Sequence, residues 1–375
     1  MNKDAALLNK IFEITHGALD SATFSFPQLS LIMQGMSATR VTRQSRYWKK
    51  NSKEDRSLVV QNTEDLIAGF YTQTCPWFYF IKGSPMGIEC WFGISRRGRD
   101  TLSLNSALRG VFPDVRFGKS AGIDLTATDR LRHASVLSGI PSPKPEEQIE
   151  KICRGLYGTY WGYFVYATPI SASEIMQIIN DTATQIHETY ANYLLKSSAI
   201  DEQNRLAKRY IELLEAKLKR FEQGRAVGMW NVQCVLMSEN SETMGRARGL
   251  LHSAYAGEKS FPVPLRVCSC SETSSLKPGI EPLHSGEVAI ISCPPIEDYP
   301  GYEIVEYARF GVEPVETVHK NSGAVIIGEI IDRGANTGNM LRIPAADLTK
   351  HALIVGGTGS GKTNTCFSVI VQPLF

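Results

Sequence analysis

The residues best suited to chemistry lie close to the end of the 375-residue chain. They match the pattern G-x-x-x-x-G-K-[ST] at each fixed position, and they are Gly356-Gly357-Thr358-Gly359-Ser360-Gly361-Lys362-Thr363. Glycines let backbone N–H groups point at an anion, and the start of a helix adds partial positive charge. The run therefore predicts a phosphate-binding loop. The alternative is a glycine turn that binds nothing.

The loop predicts a site for ATP and Mg²⁺. Lys362 is expected to reach the β- and γ-phosphates, and it is the one residue assigned a catalytic role. The hydroxyl of Thr363 is expected to ligate Mg²⁺. The residues expected to bind the nucleotide are Gly357, Thr358, Gly359, Ser360, Gly361, Lys362, Thr363 and Asn364.

The flanking residues predict the strand and helix that such a loop needs. The apolar run 352–355 indicates a buried strand entering the loop, and residues 364–371 indicate the helix leaving it. Only twelve residues follow Thr363. A hydrolytic site also needs an acidic residue on another strand and a group that orients water. We therefore expect the chain to be the N-terminal part of a longer ATPase, with a complete protein that ends here as the alternative.

Composition predicts a globular protein without a general affinity for polyanions. The apolar fraction is 43% and the formal net charge is +2, so any nucleic-acid contact would depend on local patches. The eight cysteines include no C-x-x-C pair, which favours free and mostly buried thiols in a reducing cytoplasm. No apolar run has membrane-spanning length, and the N-terminus lacks the pattern of a signal peptide.

The pattern of apolar residues and chain breaks predicts a mixed fold, α/β and α+β, in four parts. An N-terminal α/β domain is expected over 1–140 and a second, α+β domain over 146–270. Residues 271–325 are expected to form a connector, and 326–375 the start of a RecA-like P-loop ATPase domain. The expected helices are 4–19, 63–70, 102–111, 146–156 and 241–255, and the expected strands are 76–82, 88–94, 114–118, 161–167, 227–237, 262–269, 287–293, 303–309, 325–331 and 340–343.

A long helical insertion is expected in the second domain, over residues 171–224. Ser171 and Glu174 have the spacing of a capping box, and apolar stripes follow in two stretches that predict an antiparallel hairpin with its hinge near Ser197-Ser198. The hairpin is expected to project from its domain or to contact another subunit. The strands and helix around it follow the order seen at 76–118, which suggests two similar lobes.

A locally basic segment spans residues 39–56. It contains seven Lys and Arg residues with Tyr47 and Trp48 between them, opposed only by Glu54 and Asp55. Basic groups with aromatic neighbours can grip a nucleic-acid backbone. The alternative is a solvated loop or a partner surface, which is what runs of charge usually form.

Residues 328–363 resemble the start of the motor domain in the HerA–FtsK superfamily. In that group a β-hairpin region leads to a segment with a histidine, and the loop G-x-T-G-S-G-K-[ST] follows. His351 matches the histidine, and the loop matches at Gly356, Thr358, Gly359, Ser360, Gly361, Lys362 and Thr363. The resemblance implies a hexameric ring with ATP sites between subunits. Such a motor moves double-stranded DNA, often together with a nuclease or another effector protein.

Two other functions remain open from the sequence. The chain would also fit an ATPase that powers DNA or protein transfer in a secretion or conjugation apparatus. It would further fit a nucleotide-binding scaffold or adaptor without catalysis, since a P-loop alone does not define one activity. Hydrolysis by these 375 residues themselves is left open, because no Walker B acid or arginine finger is identified in them.

Overall fold

The computed structural model forms two compact units, Met1–Glu306 and Tyr307–Phe375. It confirms the expected mixture of helices and strands. Among the described helices, none is both long enough and apolar enough to span a membrane. The residues that the structure describes are 3–16, 35–46, 55–95, 101–118, 130–144, 148–194, 202–269, 282–306, 324–332, 335–349 and 351–371.

The first half of the first unit follows an N-terminal helix and has the order strand, helix, strand, strand, helix, strand. Its elements are α1 (Lys3–His16), β1 (Met36–Arg46), α2 (Asp55–Thr72), β2 (Trp77–Ser84), β3 (Gly87–Ser95), α3 (Thr101–Val111) and β4 (Arg116–Phe117). A tight turn joins β2 to β3. It consists of Pro85 and Met86.

The second half repeats this order, with a helical hairpin in place of that two-residue turn. Its elements are β5 (His133–Ser138), α4 (Ile149–Gly155), β6 (Trp161–Pro169), α5 (Ala172–Thr189), α6 (Glu202–Val227), β7 (Met229–Ser238), α7 (Ser241–Tyr255) and β8 (Arg266–Ser269). The predicted hairpin is thus confirmed as α5 and α6, with a π-helical turn Tyr190–Leu194 extending α5. The hinge predicted near Ser197-Ser198 lies outside the described residues.

The remaining elements lie in the C-terminal third of the chain. Residues 282–306, expected to be part of a connector, belong to the first unit, and residues 324–371 to the second. These elements are β9 (Leu283–His284), α8 (Ser285–Ser292), β10 (Glu303–Glu306), β11 (Ala324–Asp332), β12 (Ala335–Pro344) and α9 (Lys362–Val371).

One ten-stranded sheet joins the two halves of the first unit. Its main order is β10-β1-β3-β2-β6-β7-β5-β8, with β4 on β1 and β9 on β7. Each half therefore has the split β-α-β (ferredoxin-like) arrangement, as β4-β1-β3-β2 and as β8-β5-β7-β6, with neighbours antiparallel. The boundary expected between residues 140 and 146 falls inside this sheet, so the two similar lobes are halves of one compact unit.

The central strands are apolar on both sides because both faces of the sheet are covered. In β2, Trp77 and Tyr79 belong to the core shared with α2, α7 and α8, whereas Phe78 and Phe80 belong to a second cluster on the opposite face. Side chains alternate between faces along a strand, so a strand buried on both sides shows a continuous apolar run. This run made β2 easy to predict.

The strand predicted over 287–293 is wrong, because these residues belong mainly to helix α8 (Ser285–Ser292). Each described residue of α8 except Gly286 is buried, so the sequence shows no polar face that would mark a helix. Two tyrosines of the central strands hold the end of α8. The hydroxyl of Tyr163 donates to Ile291 O at 2.8 Å, and that of Tyr79 donates to Cys293 O at 2.8 Å.

Strands β1 and β5 were not predicted. Residues 39–46, which were assigned to a basic segment, form most of β1, and its alternation of Thr, Arg, Gln and Ser has no apolar stripe. Cross-strand pairing decides the conformation here, because β1 pairs with β3 from Met36 to Val41 and with β10 from Arg43 to Arg46.

A buried ion pair ties the helical hairpin to α8. Arg220 donates from Nε to Glu287 Oε1 at 2.7 Å and from Nη2 to Glu287 Oε2 at 2.9 Å, and each side chain is less than 10% exposed. Glu287 also accepts from the backbone N–H of His284 at 3.1 Å, which caps α8. Burial lowers the pKa of His284, with Glu287 opposing the shift and Arg220 adding to it, so the ring stays neutral at pH 7.

Replacing Arg220 with Met is expected to destabilise the first unit by about 3–5 kcal/mol, because Glu287 is left as an uncompensated buried charge. Urea denaturation followed by tryptophan fluorescence measures this effect. All five tryptophans precede residue 231, so the signal reports the first unit alone. The matched control is Lys219→Met at the neighbouring exposed position, with an expected change within about 0.5 kcal/mol. Equal unfolding midpoints for the two variants would contradict the assignment.

Candidate functional site: the phosphate-binding loop

The loop predicted to bind phosphate leads directly into α9, which begins at Lys362. Gly359 and Gly361 have φ angles of 79° and 81°, in the left-handed region that residues with a Cβ disfavour. A Cβ built on either glycine meets no atom within 4 Å. The requirement for glycine at these two positions is therefore conformational, and it leaves the space beside the backbone open.

Lys362 folds back over its own loop. Its Nζ donates to Gly356 O at 2.8 Å and to Gly357 O at 2.6 Å. These two carbonyls belong to exposed residues, so the ammonium group lies at the surface of the loop. The side chain thus already crosses the loop from the start of the helix, which is the position from which a lysine can reach a bound phosphate.

Several backbone donors of the loop are available to a ligand. Within the described part of the chain, the N–H groups of Thr358, Gly359, Gly361, Lys362 and Thr363 form no hydrogen bond. The first intrahelical bond runs from Thr365 N to Gly361 O at 3.0 Å. Unbonded N–H groups at a helix N-terminus, together with the helix dipole, favour an anion.

The chemistry of the loop fits a nucleotide with Mg²⁺. The side chains of Thr363 and Asn364 are exposed, and the Thr363 hydroxyl has no hydrogen-bond partner among the described residues. Mg²⁺ in nucleotide sites keeps several waters and phosphate oxygens as ligands, and the Thr363 hydroxyl is placed to be one of its protein ligands. No group of three or more His, Cys, Asp or Glu residues suited to a metal occurs in the described ranges.

The structure differs from the prediction immediately before the loop. Residues 352–355 were expected to form a buried strand, but no strand is present there, and Leu353 and Val355 are 89% and 80% exposed. A strand needs a neighbour for its backbone hydrogen bonds. The strands described in this unit, β11 and β12, pair with each other. His351 is likewise exposed.

The β11–β12 hairpin confirms the two strands predicted before the loop. Glu329 accepts from Asn336 Nδ2 at 2.9 Å and from Gly338 N at 2.9 Å, which braces the irregular end of the hairpin. Gly338 has a φ of 77°. Glu329 therefore has a structural role, since both of these hydrogen bonds lie within the β11–β12 hairpin.

Three arginines of the basic segment 39–56, all of them on β1, form ion pairs. Arg40 lies 3.5 Å from Glu89, Arg43 lies 3.3 Å from Asp114, and Arg46 lies 2.8 Å from Glu306. Paired arginines offer less charge to a phosphate backbone than free ones, so this part favours the partner-surface or solvated alternative. Tyr47, Trp48 and the segment's lysines lie outside the described residues.

Most of the described thiols lie inside the first unit, away from solvent. The expected burial is confirmed for Cys75, Cys90, Cys153 and Cys234, while Cys366 is exposed. Burial raises the pKa of the Cys234 thiol to about 12, which leaves it protonated and unreactive.

The sequence was compared with protein families and with curated proteins. No protein-family model matches the chain, and no match was found among curated proteins.

Replacing Lys362 with Ala is expected to weaken binding of Mg·ATP about ten- to a hundredfold, because one or two charge-assisted hydrogen bonds to phosphate are lost. Titration of a fluorescent ATP analogue, followed by anisotropy, gives the dissociation constants. Arg342→Ala is the matched control, since it removes an exposed positive charge from the same unit. Equal affinities for Lys362→Ala and the unmodified chain would refute the loop assignment.

Proposed function

We propose that the chain binds Mg·ATP through residues 357–364 and serves a cytoplasmic ATP-hydrolysing motor that translocates double-stranded DNA. The observation that carries the nucleotide part is the glycine loop at the start of α9, with its unbonded N–H groups and the amino group of Lys362 above it. The DNA and motor parts rest on the resemblance of residues 328–363 to the HerA–FtsK superfamily.

Five of the loop residues have a stated physical role in this proposal. The unbonded N–H groups of Gly359 and Gly361 orient the phosphates, and that of Ser360 joins them by leaving Gly357 O, to which it donates at 3.3 Å. The dipole of α9 favours the negative charge of the phosphates. The ammonium group of Lys362 leaves the carbonyls of Gly356 and Gly357 and stabilises the negative charge on the β- and γ-phosphates. Thr363 holds Mg²⁺, which when bound neutralises charge on the same phosphates.

The remaining parts of a motor are proposed on the resemblance alone. They are a RecA-like fold around the loop, a hexameric ring with ATP at its subunit interfaces, and a nuclease or other effector as partner. The first unit, a sheet with an inserted helical hairpin, offers the surfaces for such a partner. The paired arginines of β1 give no support to DNA binding by that strand.

Removing the Thr363 hydroxyl is expected to uncouple nucleotide binding from Mg²⁺. In Thr363→Ala, adding Mg²⁺ should no longer raise ATP affinity, because the protein ligand to the ion is missing. Thr363→Ser retains a hydroxyl at the same position and should restore the Mg²⁺ dependence. Isothermal titration with and without Mg²⁺ compares the three forms. A full Mg²⁺ dependence in Thr363→Ala would show that the ion is held elsewhere.

ATP hydrolysis with and without double-stranded DNA tests the proposed motor. The assay uses the chain itself and any longer product that its gene encodes. We expect turnover to rise severalfold with DNA and to disappear in Lys362→Ala, since phosphoryl transfer depends on charge stabilisation at the phosphates. Arg342→Ala should behave like the unmodified protein.

Two results would replace the DNA motor with another function. Turnover that is indifferent to DNA would favour an ATPase that drives transfer of DNA or protein in a secretion or conjugation apparatus. Tight nucleotide binding without turnover in either product would favour a nucleotide-binding scaffold or adaptor.

A further inference from the structure

The glycine loop closes on itself where Gly356 faces Ser360. A Cβ built on Gly356 would lie 2.4 Å from Ser360 Oγ and 3.3 Å from Ser360 Cβ. Non-bonded carbon atoms are most stable about 3.5–4.0 Å apart, so a side chain on residue 356 would force Ser360 to move. The missing Cβ of Gly356 therefore leaves the room that the Ser360 side chain occupies.

The requirement for glycine at position 356 differs from that at the other loop glycines. Gly359 and Gly361 are needed for their left-handed φ angles, and a Cβ on either of them or on Gly357 meets no atom within 4 Å. Gly356 is not among the residues with a positive φ. Its requirement is therefore steric, and it is set by Ser360.

The same stretch of backbone also holds Lys362. Gly356 O accepts from Lys362 Nζ at 2.8 Å, and Lys362 Cγ would lie 3.5 Å from a Cβ built on Gly356. Gly357 O accepts from Lys362 Nζ at 2.6 Å and from Ser360 N at 3.3 Å. Ser360 and Lys362 thus contact the same two residues, Gly356-Gly357, which form the neck of the loop.

We propose that Gly356 is a positioning residue for the amino group of Lys362. It acts by letting the Ser360 side chain close against the neck. Because Gly356 O is one of the two acceptors that hold the amino group, a neck pushed away from Ser360 also displaces the lysine. The inference rests on the proposed nucleotide site and adds to it a residue outside 357–364.

The placement of Lys362 matters because its charge has to meet the phosphates at a defined distance. Electrostatic stabilisation is most effective when the charged group is held in position before the ligand arrives. Small displacements of a group that acts on a bound ligand can lower its effect by a large factor. The contact between Gly356 and Ser360 limits this displacement, since it fixes the carbonyl to which the amino group is bound.

A disulfide between positions 356 and 360 tests the geometry of the neck without any nucleotide. Disulfides join Cβ atoms that are about 3.5–4.5 Å apart, so a slight opening of the observed contact is sufficient. Gly356→Cys/Ser360→Cys, in a Cys366→Ser background that removes the exposed thiol, should cross-link under mild oxidation with copper phenanthroline. Peptide mass spectrometry identifies the bond. Gly357→Cys/Ser360→Cys, whose new Cβ at 357 meets no atom within 4 Å, should cross-link several times more slowly.

Adding one methyl group at the neck tests the positioning role. Gly356→Ala should bind Mg·ATP about three- to tenfold more weakly, because the neck and the lysine held by it are displaced. Gly328→Ala is the matched control in the same unit, since a Cβ there meets no atom within 4 Å. Titration of a fluorescent ATP analogue, followed by anisotropy, compares the two variants with the unmodified chain.

Two double variants separate positioning from a general disturbance of the loop. Gly356→Ala/Ser360→Gly should bind within about twofold of Ser360→Gly alone, since the side chain that the methyl group meets is gone. In a Lys362→Ala background, Gly356→Ala should change the affinity by less than about twofold, because it acts through the missing lysine. An equal loss of affinity from Gly356→Ala in all three backgrounds would overturn the positioning role.

The outcomes distinguish this inference from the proposed function. Absence of Mg·ATP binding by the unmodified chain would overturn the nucleotide site, and the inference with it. Unmodified affinity in Gly356→Ala, with binding by the unmodified chain intact, would overturn the inference alone. Failure of the 356–360 disulfide to form faster than the 357–360 disulfide would also overturn the inference alone, because the contact on which it depends would be absent.

Discussion

The pairing of β2 with β6 is the constraint on which the first unit depends. These strands are the inner edges of two similar halves, and they pair antiparallel from Trp77–Ala167 to Gly83–Trp161. Gly83 is needed at the end of this register, because a Cβ there would lie 2.0 Å from the indole of Trp161. The pairing makes one sheet of two halves that would each be a small domain with an open edge. The tyrosines that hold α8 also project from these two strands, so the helix is positioned by the same junction.

Sequence patterns predicted best where local and tertiary preferences agree. Helix α7 has the bounds predicted for it, and Glu174 N donates to Ser171 Oγ at 3.2 Å, as the cap of α5 requires. Sequence patterns gave wrong or missing predictions where tertiary contacts determine the secondary structure. Strand β1 is polar and is held by its neighbours and its ion pairs. Helix α8 is buried on nearly all sides, so no alternation of exposed and buried residues marks it as a helix. The joining of two lobes into one sheet depends on a strand pair about 80 residues apart in the chain, which a local pattern does not contain.

The proposed phosphate-binding loop also combines features set by local sequence with features that depend on tertiary contacts. Its glycines and the start of α9 were predicted because both follow from local backbone preferences, the left-handed φ angles and the unbonded N–H groups of a first helical turn. The strand expected before the loop depends on pairing with other strands, and it is not formed among the residues described. The groups proposed to bind a phosphate are thus specified by local sequence. A buried position for the loop requires further packing around Leu353 and Val355.

The internal similarity of the two halves separates what the fold requires from what has been added to it. Both halves form the same strand order, and their central strands contribute equivalent apolar faces to one core. The hairpin α5–α6 breaks this similarity, and it has its own small core with α1 and a buried ion pair that fixes its base to α8. Separating this buried charge pair would be costly, so the base of the hairpin is held firmly to α8.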